Sequence, residues 1–368
     1  MSAVVLYCRA GFEGECAAEI QDRTAELGVY GYCKAQPDSG LVTYHCMAEE
    51  ADHIARKLSV HRLIFARQLF VRVAECNQLD MEDRISGMLE AIADLPEETM
   101  PLCGQVWVET PDTNDGRQLS ALCKSITTPL RKALRGKGLL TDADTERRPV
   151  LHVLFRSTHS AMLGYSYTFN HAPYIMGIAR VRTPKGAPSR SAAKLAEAFK
   201  IMIPKEDFNK RVTSGMKAVD LGASPGGWTS VLVQYGMMVD AVDNGAMDET
   251  LMNTGQVKHR QEDGFVFRPK RKNIEWLVCD MVEKPVKVAH LMTNWFIDED
   301  CRQAMFNLKL PMKKRYQAVQ QYIEAIKRRL AEAGMRHYQL SAKHLYHDRE
   351  EITVYLRRVE RDEKVSRG

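Results

Sequence analysis

The stretch Ala218-Val219-Asp220-Leu221-Gly222-Ala223-Ser224-Pro225-Gly226-Gly227-Trp228-Thr229 constrains this chain more than any other. Ala218, Val219 and Leu221 read as the end of a buried parallel strand. The glycine-rich run after them reads as a turn, and residues 228–235 read as an apolar helix stopped by Gly236. Glycine has no Cβ, so such a turn lets the backbone come close to a ligand. In an α/β sheet the turn would lie at the carboxyl edge of the strands, where these folds bind their ligands. No lysine follows the glycines, which excludes the phosphate-cradling Gly-x-x-x-x-Gly-Lys-Ser loop.

The rest of the C-terminal half repeats this alternation. Pro173, Pro184, Gly186 and Pro188 break periodicity and mark a boundary near residue 171. Beyond it, strand patterns fall at 216–221, 237–243, 257–262, 274–281, 305–310, 337–345 and 352–357. Helical patterns at 229–235, 285–296 and 312–333 separate most of them. This predicts an α/β domain over 171–368 with a doubly wound, seven-stranded and mostly parallel sheet. The last two strands have no helix between them and are expected to be antiparallel.

A chain of 368 residues has room for two or three domains. Residues 1–80 carry the pattern of a small α+β unit, with strands near 4–8, 30–34, 40–46 and 63–73 and helices near 13–27 and 48–58. Residues 81–170 form a second expected unit, in which a long helix at 117–134 carries Lys124, Arg131 and Lys132 beside an apolar stripe of Leu119, Leu122, Ile126 and Leu130. Basic residues also cluster at 268–272, 313–315 and 327–329 within a net charge of +5, which favours a polyanionic partner. No apolar run is long enough for a membrane span, and the N-terminus lacks the basic region of a signal peptide. Nine cysteines without one Cys-x-x-Cys pair point to a reducing cytoplasm and away from a zinc ribbon or a disulfide framework.

Three aspartates end successive strands on the expected ligand edge. Asp243 lies about twenty residues past the glycines, where an acid would meet a ribose diol. Asp263 follows the third strand and Asp280 the fourth. Lys309 sits at an otherwise apolar strand end in Phe306-Asn307-Leu308-Lys309-Leu310, an unusual place for a lysine without a partner or a function. Lys194 falls one helical turn after Ser191, on a face adjoining Leu195, Phe199 and Met202. Lys194 and Glu351, taken alone, read as ordinary surface charges.

Together these residues carry a resemblance. The loop 220–228 is similar to the S-adenosylmethionine-binding loop of the FtsJ-type RNA ribose 2′-O-methyltransferases. Ser189-Arg190-Ser191-Ala192-Ala193-Lys194-Leu195, Cys279-Asp280-Met281, Asn307-Leu308-Lys309 and Arg349-Glu350-Glu351 resemble that family's Lys-Asp-Lys-Glu tetrad in order and strand context. The match spans about residues 186–358, with Ser224 standing where the family often has alanine.

The resemblance implies Lys194, Asp280, Lys309 and Glu351 as the catalytic set, with Glu350 as the alternative to Glu351. Lys309 would be the general base, Lys194 would disfavour a second charge beside it, Glu351 would orient the pair, and Asp280 would hold Lys309 and favour the sulfonium. The implied cofactor is S-adenosyl-L-methionine, bound by Ser191, Gly222, Ser224, Pro225, Gly226, Gly227, Trp228, Asp243, Asp263 and Asp280, with no metal. The order of the whole chain resembles a bacterial large-subunit rRNA ribose methyltransferase, with a ferredoxin-like unit at 1–80 and a THUMP-like RNA-binding unit at 81–170. That implies a cytidine 2′-hydroxyl in domain V of 23S rRNA, free or in an assembling large subunit, as the substrate.

Three other readings stay open. One is methylation of another structured RNA such as tRNA. A nicotinamide- or nucleotide-dependent enzyme would use the same glycine-rich edge, but Gly-x-Gly-x-x-Gly is absent. A non-catalytic RNA-binding protein would not need all four tetrad positions filled.

Overall fold

The computed structural model describes residues 2–96 and 99–359, and the chain divides into two compact units after Ile178. In the first unit, β1 (Ser2–Tyr7), α1 (Glu13–Glu26), β2 (Tyr32–Ala35), β3 (Leu41–Cys46), α2 (Glu50–Lys57) and β4 (Gln68–Cys76) are followed by α3 (Arg84–Ala93), β5 (Gln105–Glu109), α4 (Asn114–Gln118), α5 (Ser120–Gly136), β6 (Val150–Ser157) and β7 (Ser160–Ser166). The segments 1–80 and 81–170 contribute to one seven-stranded sheet, ordered β2-β3-β1-β4-β7-β6-β5, and they join where β4 pairs with β7.

Two local departures from the sequence reading have clear causes. The strand expected from residue 63 begins only at Gln68, because the N–H groups of Ile64 and Phe65 donate to the buried Glu19 carboxylate at 2.5 and 2.8 Å. The helix expected over 117–134 is two helices that break at Leu119. Thr113 starts the first by accepting from Gly116 N at 3.0 Å.

A buried polar cluster closes this unit. Glu109 accepts from Tyr7 Oη and from Met176 N, at 2.7 and 2.6 Å, and lies 2.7 Å from His152 Nδ1. His152 Nε2 lies 2.7 Å from Ser166 Oγ. Serine, histidine and glutamate in series resemble a nucleophile relay, but no substrate reaches residues this deeply buried. Their effect is to satisfy one another and to pin the segment just before Ile178.

The second unit holds α6 (Ala192–Met202), α7 (Phe208–Arg211), β8 (Lys217–Leu221), α8 (Gly227–Gln234), β9 (Met238–Val242), α9 (Glu249–Met252), β10 (Val257–Arg260), β11 (Ile274–Cys279), α10 (Pro285–Ile297), β12 (Cys301–Lys309), α11 (Arg315–Glu332), β13 (Tyr338–Lys343) and β14 (Glu351–Arg358). Its sheet runs β10-β9-β8-β11-β12-β14-β13, and β14 is antiparallel to both its neighbours while the remaining pairs are parallel. The seven strands and the antiparallel pair at the end match the alternation in the sequence. Successive connections leave β8 in one direction and β11 in the other, so the carboxyl ends of these two strands flank a topological switch point.

The core beneath that edge joins α6 and α8 to the sheet. Leu195, Phe199, Trp228, Val231, Trp276 and Tyr355 are buried together, and the Phe199 and Trp276 rings lie 4.8 Å apart. Burying each such side chain contributes about 1.5–3 kcal/mol. This fixes α6, and with it Lys194, against the strand ends. Among the described residues, no helix is long and apolar enough to cross a membrane, and no group of three His, Cys, Asp or Glu side chains could hold a metal ion.

Candidate active site

Four side chains far apart in sequence meet at the carboxyl edge between β11, β12 and β14. Lys194 Nζ, from α6, donates to Asp280 Oδ1 and Oδ2 at 3.2 and 3.1 Å. It also pairs with Glu351 Oε1. The other oxygen of Glu351 holds Lys309, whose residue partner across the β12–β14 ladder is Glu351 itself. The register therefore sets this contact. Glu350, the alternative fourth member, faces away and pairs with Arg315 at 3.2 Å. Asp280 contacts Lys194 and Asn307, whereas Lys309 hangs on Glu351 instead of on Asp280.

The electrostatics of the cluster follow from its geometry. Burial alone would lower the Lys194 pKa, but Asp280 and Glu351 outweigh it and raise the value, so Lys194 stays protonated. Burial works against the Glu351 anion as well, yet the two lysines win and hold its pKa below the ordinary carboxylate value. Asp280 is pushed upward by burial, against Lys194 and Asn307, which favour its anion. Lys194 is enclosed, with 18% of its side chain exposed, whereas Lys309 shows 36%.

Next to this cluster lies an open cleft of about 370 Å³ lined by Gly222, Ser224, Asp243, Phe265, Asp280, Met281, Val282 and Glu283. Its size is within the range of small-molecule sites. Four of the expected cofactor residues, Gly222, Ser224, Asp243 and Asp280, line it. Asp243 also braces the loop, accepting from Ser224 N at 3.0 Å and from Gly245 N at 2.7 Å.

The other expected cofactor residues have structural surroundings. The Trp228 side chain is buried in the core under α6. Ser191 bonds to Ser189 at 3.1 Å, and a Cβ on Gly227 would come within 2.2 Å of the Ser191 hydroxyl. Gly226 has φ +119°, and a Cβ there would lie 2.4 Å from Leu251 Cδ1. These two glycines are therefore required by protein packing, which a sequence cannot distinguish from close approach to a ligand. Pro225 accepts from Asp248 N at 3.0 Å through its carbonyl. Asp263 accepts from Phe265 N at 2.8 Å and lies outside the cleft lining, while Phe265 is part of it.

Sequence reasoning passed over Phe265, Met281 and Asp220. Asp220 is buried beneath the loop, accepts from Thr229 Oγ1 at 2.6 Å and has a pKa raised by burial to about 7. Its place inside the loop motif was the available signal. Gly226→Val should lower the thermal midpoint and weaken ligand binding together, because a left-handed φ on a side-chain residue costs about 1–3 kcal/mol even before the clash with Leu251. Calorimetry and thermal melts check this, and a loss of binding with an unchanged midpoint would contradict the packing role.

The basic clusters are divided among several roles. On α5, Lys124 and Lys132 are exposed, whereas Arg131 and Arg135 are half-buried and pair with Asp144 at 3.8 and 2.8 Å. Residues 268–271 border a larger hollow with Lys217, Lys258 and Arg260, at the amino ends of the strands and away from the cleft. Arg260 is there paired with Asp240 at 2.7 Å.

Residues 187–316 match the family described as FtsJ-like methyltransferase. Residues 1–70 match the RlmM ferredoxin-like domain, and 83–167 match the N-terminal region of ribosomal RNA large subunit methyltransferase M. Curated relatives carry that last name along their whole length. The protein of Idiomarina loihiensis is 57% identical over 97% of this chain and 96% of its own. That of Aeromonas salmonicida is 53% identical over 97% and 96%, and that of Proteus mirabilis 51% over 98% and 97%.

Proposed function

The chain belongs to the ribosomal RNA large subunit methyltransferase M family, and from that premise we propose that it transfers a methyl group from S-adenosylmethionine to a ribose 2′-hydroxyl of 23S rRNA in the cytoplasm. The finer target, a cytidine in domain V in free rRNA or an assembling subunit, is the reading that the whole-chain resemblance supports. The residues around the cleft suit the cofactor. Asp280 offers a carboxylate to a cation, Asp243 retains acceptor capacity for a diol beyond its two amide bonds, and Phe265 offers an apolar ring. When bound, the cofactor supplies the methyl group as a sulfonium.

The protein's own task is to deprotonate the hydroxyl and to align it. The observation that carries the assignment is the unequal sharing of two carboxylates by two lysines. Lys194 touches both and is enclosed, so it keeps its proton. Lys309 holds one oxygen of a shared carboxylate and reaches solvent, so it is the lysine that an incoming hydroxyl can approach. In this reading a neutral Lys309 Nζ would take the proton of the ribose hydroxyl, whose oxygen would receive the methyl group as the methyl–sulfur bond breaks. Glu351 fixes both lysines, and Lys194 keeps its positive charge between Asp280 and Glu351. Alignment of the reactants contributes alongside the base, on a scale of about 7–11 kcal/mol in favourable systems.

The first unit is proposed to supply RNA affinity. Its exposed cations on α5, Lys124 and Lys132, are the ones not held by Asp144. Charge reversal at both in the full chain should weaken rRNA binding and flatten its salt dependence by roughly 0.7–0.9 per lost phosphate contact. Cofactor affinity should stay unchanged. Binding titrations at several salt concentrations test this, and an unaltered slope would remove α5 from the RNA surface.

A further inference from the structure

Phe169 is an exposed aromatic residue that the fold holds still. It sits in the short turn at Thr168–Asn170 that follows β7, and it is 64% exposed. The buried Asn170 pins this turn to the end of α2. Its Oδ1 accepts from Val60 N, and its Nδ2 donates to the carbonyls of Ala55 and Leu58, each at 2.7 Å. The Phe169 ring lies nearly parallel to that of Tyr167, at 15° and with 5.1 Å between centroids, as in a stacked aromatic pair. Tyr167 is fixed in turn. Its hydroxyl donates to Asp52 and accepts from Arg56, and the Arg56 guanidinium carbon lies 4.3 Å from its ring centroid in a cation–π contact. Asp52 also accepts from Tyr165 Oη at 2.8 Å and pairs with Arg56 at 2.6 Å.

A single exposed apolar side chain is ordinary on a soluble protein and needs no explanation. Phe169 differs in three respects. Tyr167 covers one face of its ring, so the exposed part includes the opposite face. Its turn is already ordered by the three Asn170 bonds, so a group stacking there costs little conformational entropy. Its surroundings are also cationic. Arg56, Lys57 and Arg62 are all exposed, and each lies within two residues of a backbone group that bonds Asn170. The carboxylate of the cluster, Asp52, is already shared by two tyrosines and Arg56. A flat open ring beside cations suits a nucleotide of single-stranded RNA, which brings a base face and a phosphate on each side. Bases inside a duplex are already stacked on one another and offer no such face.

We propose that Phe169, backed by Tyr167 and Arg56, is a stacking platform for an unpaired base of the rRNA, with Lys57 and Arg62 serving the phosphates beside that base. The inference rests on the reading of rRNA as the substrate and names one contact by which the first unit holds it. Stacking displaces no counterions, so its contribution is separable from that of the exposed lysines on α5 by salt dependence.

The test measures binding of the full chain to transcribed 23S rRNA and to a fully paired RNA duplex, without S-adenosylmethionine and at several salt concentrations. Phe169→Ala should weaken rRNA binding by about five- to 150-fold, the span of base–aromatic stacking, with the salt slope unchanged. Its affinity for the duplex and its thermal midpoint should stay close to wild type. Phe169→Trp should bind rRNA at least as tightly as wild type, whereas Phe169→Leu, apolar but without a flat face, should stay weak. Lys57→Glu with Arg62→Glu should instead flatten the slope by roughly 0.7 per lost single-strand phosphate contact. Wild-type rRNA affinity in Phe169→Ala, leucine serving as well as phenylalanine, or an equal loss on the duplex would each overturn the proposal. Those results would leave rRNA as the substrate, whereas a wild-type chain that does not bind rRNA would overturn that reading together with this one. No turnover is measured, so a failure of the Lys309 assignment does not affect the result.

Discussion

Lys309→Ala should abolish methyl transfer to rRNA while leaving S-adenosylmethionine affinity nearly intact. The side chain is bonded to Glu351 and is not among the residues lining the cleft, so the cofactor loses no contact. The rate should fall by roughly 10²–10⁴, the range that a positioned base contributes. Lys309→Arg should fail too, because a guanidinium keeps its proton and cannot accept another. Lys194→Ala should also be impaired, but for a different reason, since it leaves the Asp280 and Glu351 carboxylates without their shared cation. Single-turnover methylation and calorimetric cofactor binding separate these cases. A Lys309→Ala variant that keeps more than about a tenth of wild-type turnover would show that the base lies elsewhere.

The sequence exposes the parts of this site that depend on local pattern and hides those that depend on tertiary contact. The alternation after residue 188, the glycine-rich turn and the aspartates at strand ends are local, and β8, β9 and β11 end where the pattern places them. Lys309 was conspicuous as a charge at an apolar strand end. Lys194 and Glu351 were not, because their burial comes from α6 and β14 closing on each other across about 150 residues of chain, and the family resemblance alone singled them out. Trp228, Gly226 and Gly227 show the converse. Their neighbours to the glycine-rich turn suggested a ligand, but their actual neighbours are Phe199, Leu251 and Ser191. Asp348 carries no local sign of its setting, and only the fold reveals that it is buried beside Thr353. Likewise, nothing local shows that residues 1–80 and 81–170 share a sheet, since β4 and β7 pair across an intervening stretch that holds three helices and two other strands.

Glu351→Gln should damage stability as well as activity. It keeps the shape and removes the one anion that bridges both lysines, so Lys194 retains Asp280 and Lys309 loses its ion pair. Breaking a buried ion pair on one side costs about 3–5 kcal/mol, and the low end applies here because Lys309 is partly hydrated. The pH dependence follows from the signs of the shifts. The Glu351 pKa is lowered in the folded state, so its stabilisation is complete above the unfolded carboxylate value of about 4.3 and fades as pH falls through the lower folded value. The Lys194 pKa is raised, so its contribution is complete below about 10.4 and fades only as pH rises through the higher folded value. The difference in thermal midpoint between wild type and Glu351→Gln should therefore be flat across neutral pH and narrow in acid, where Glu351 is neutral in both folded and unfolded chains. Thermal melts from about pH 7 down to the acid limit of folding check it. A gap that stays as wide in acid, or no gap at neutral pH, would mean that Glu351 is not the shared anion on which the two lysines depend.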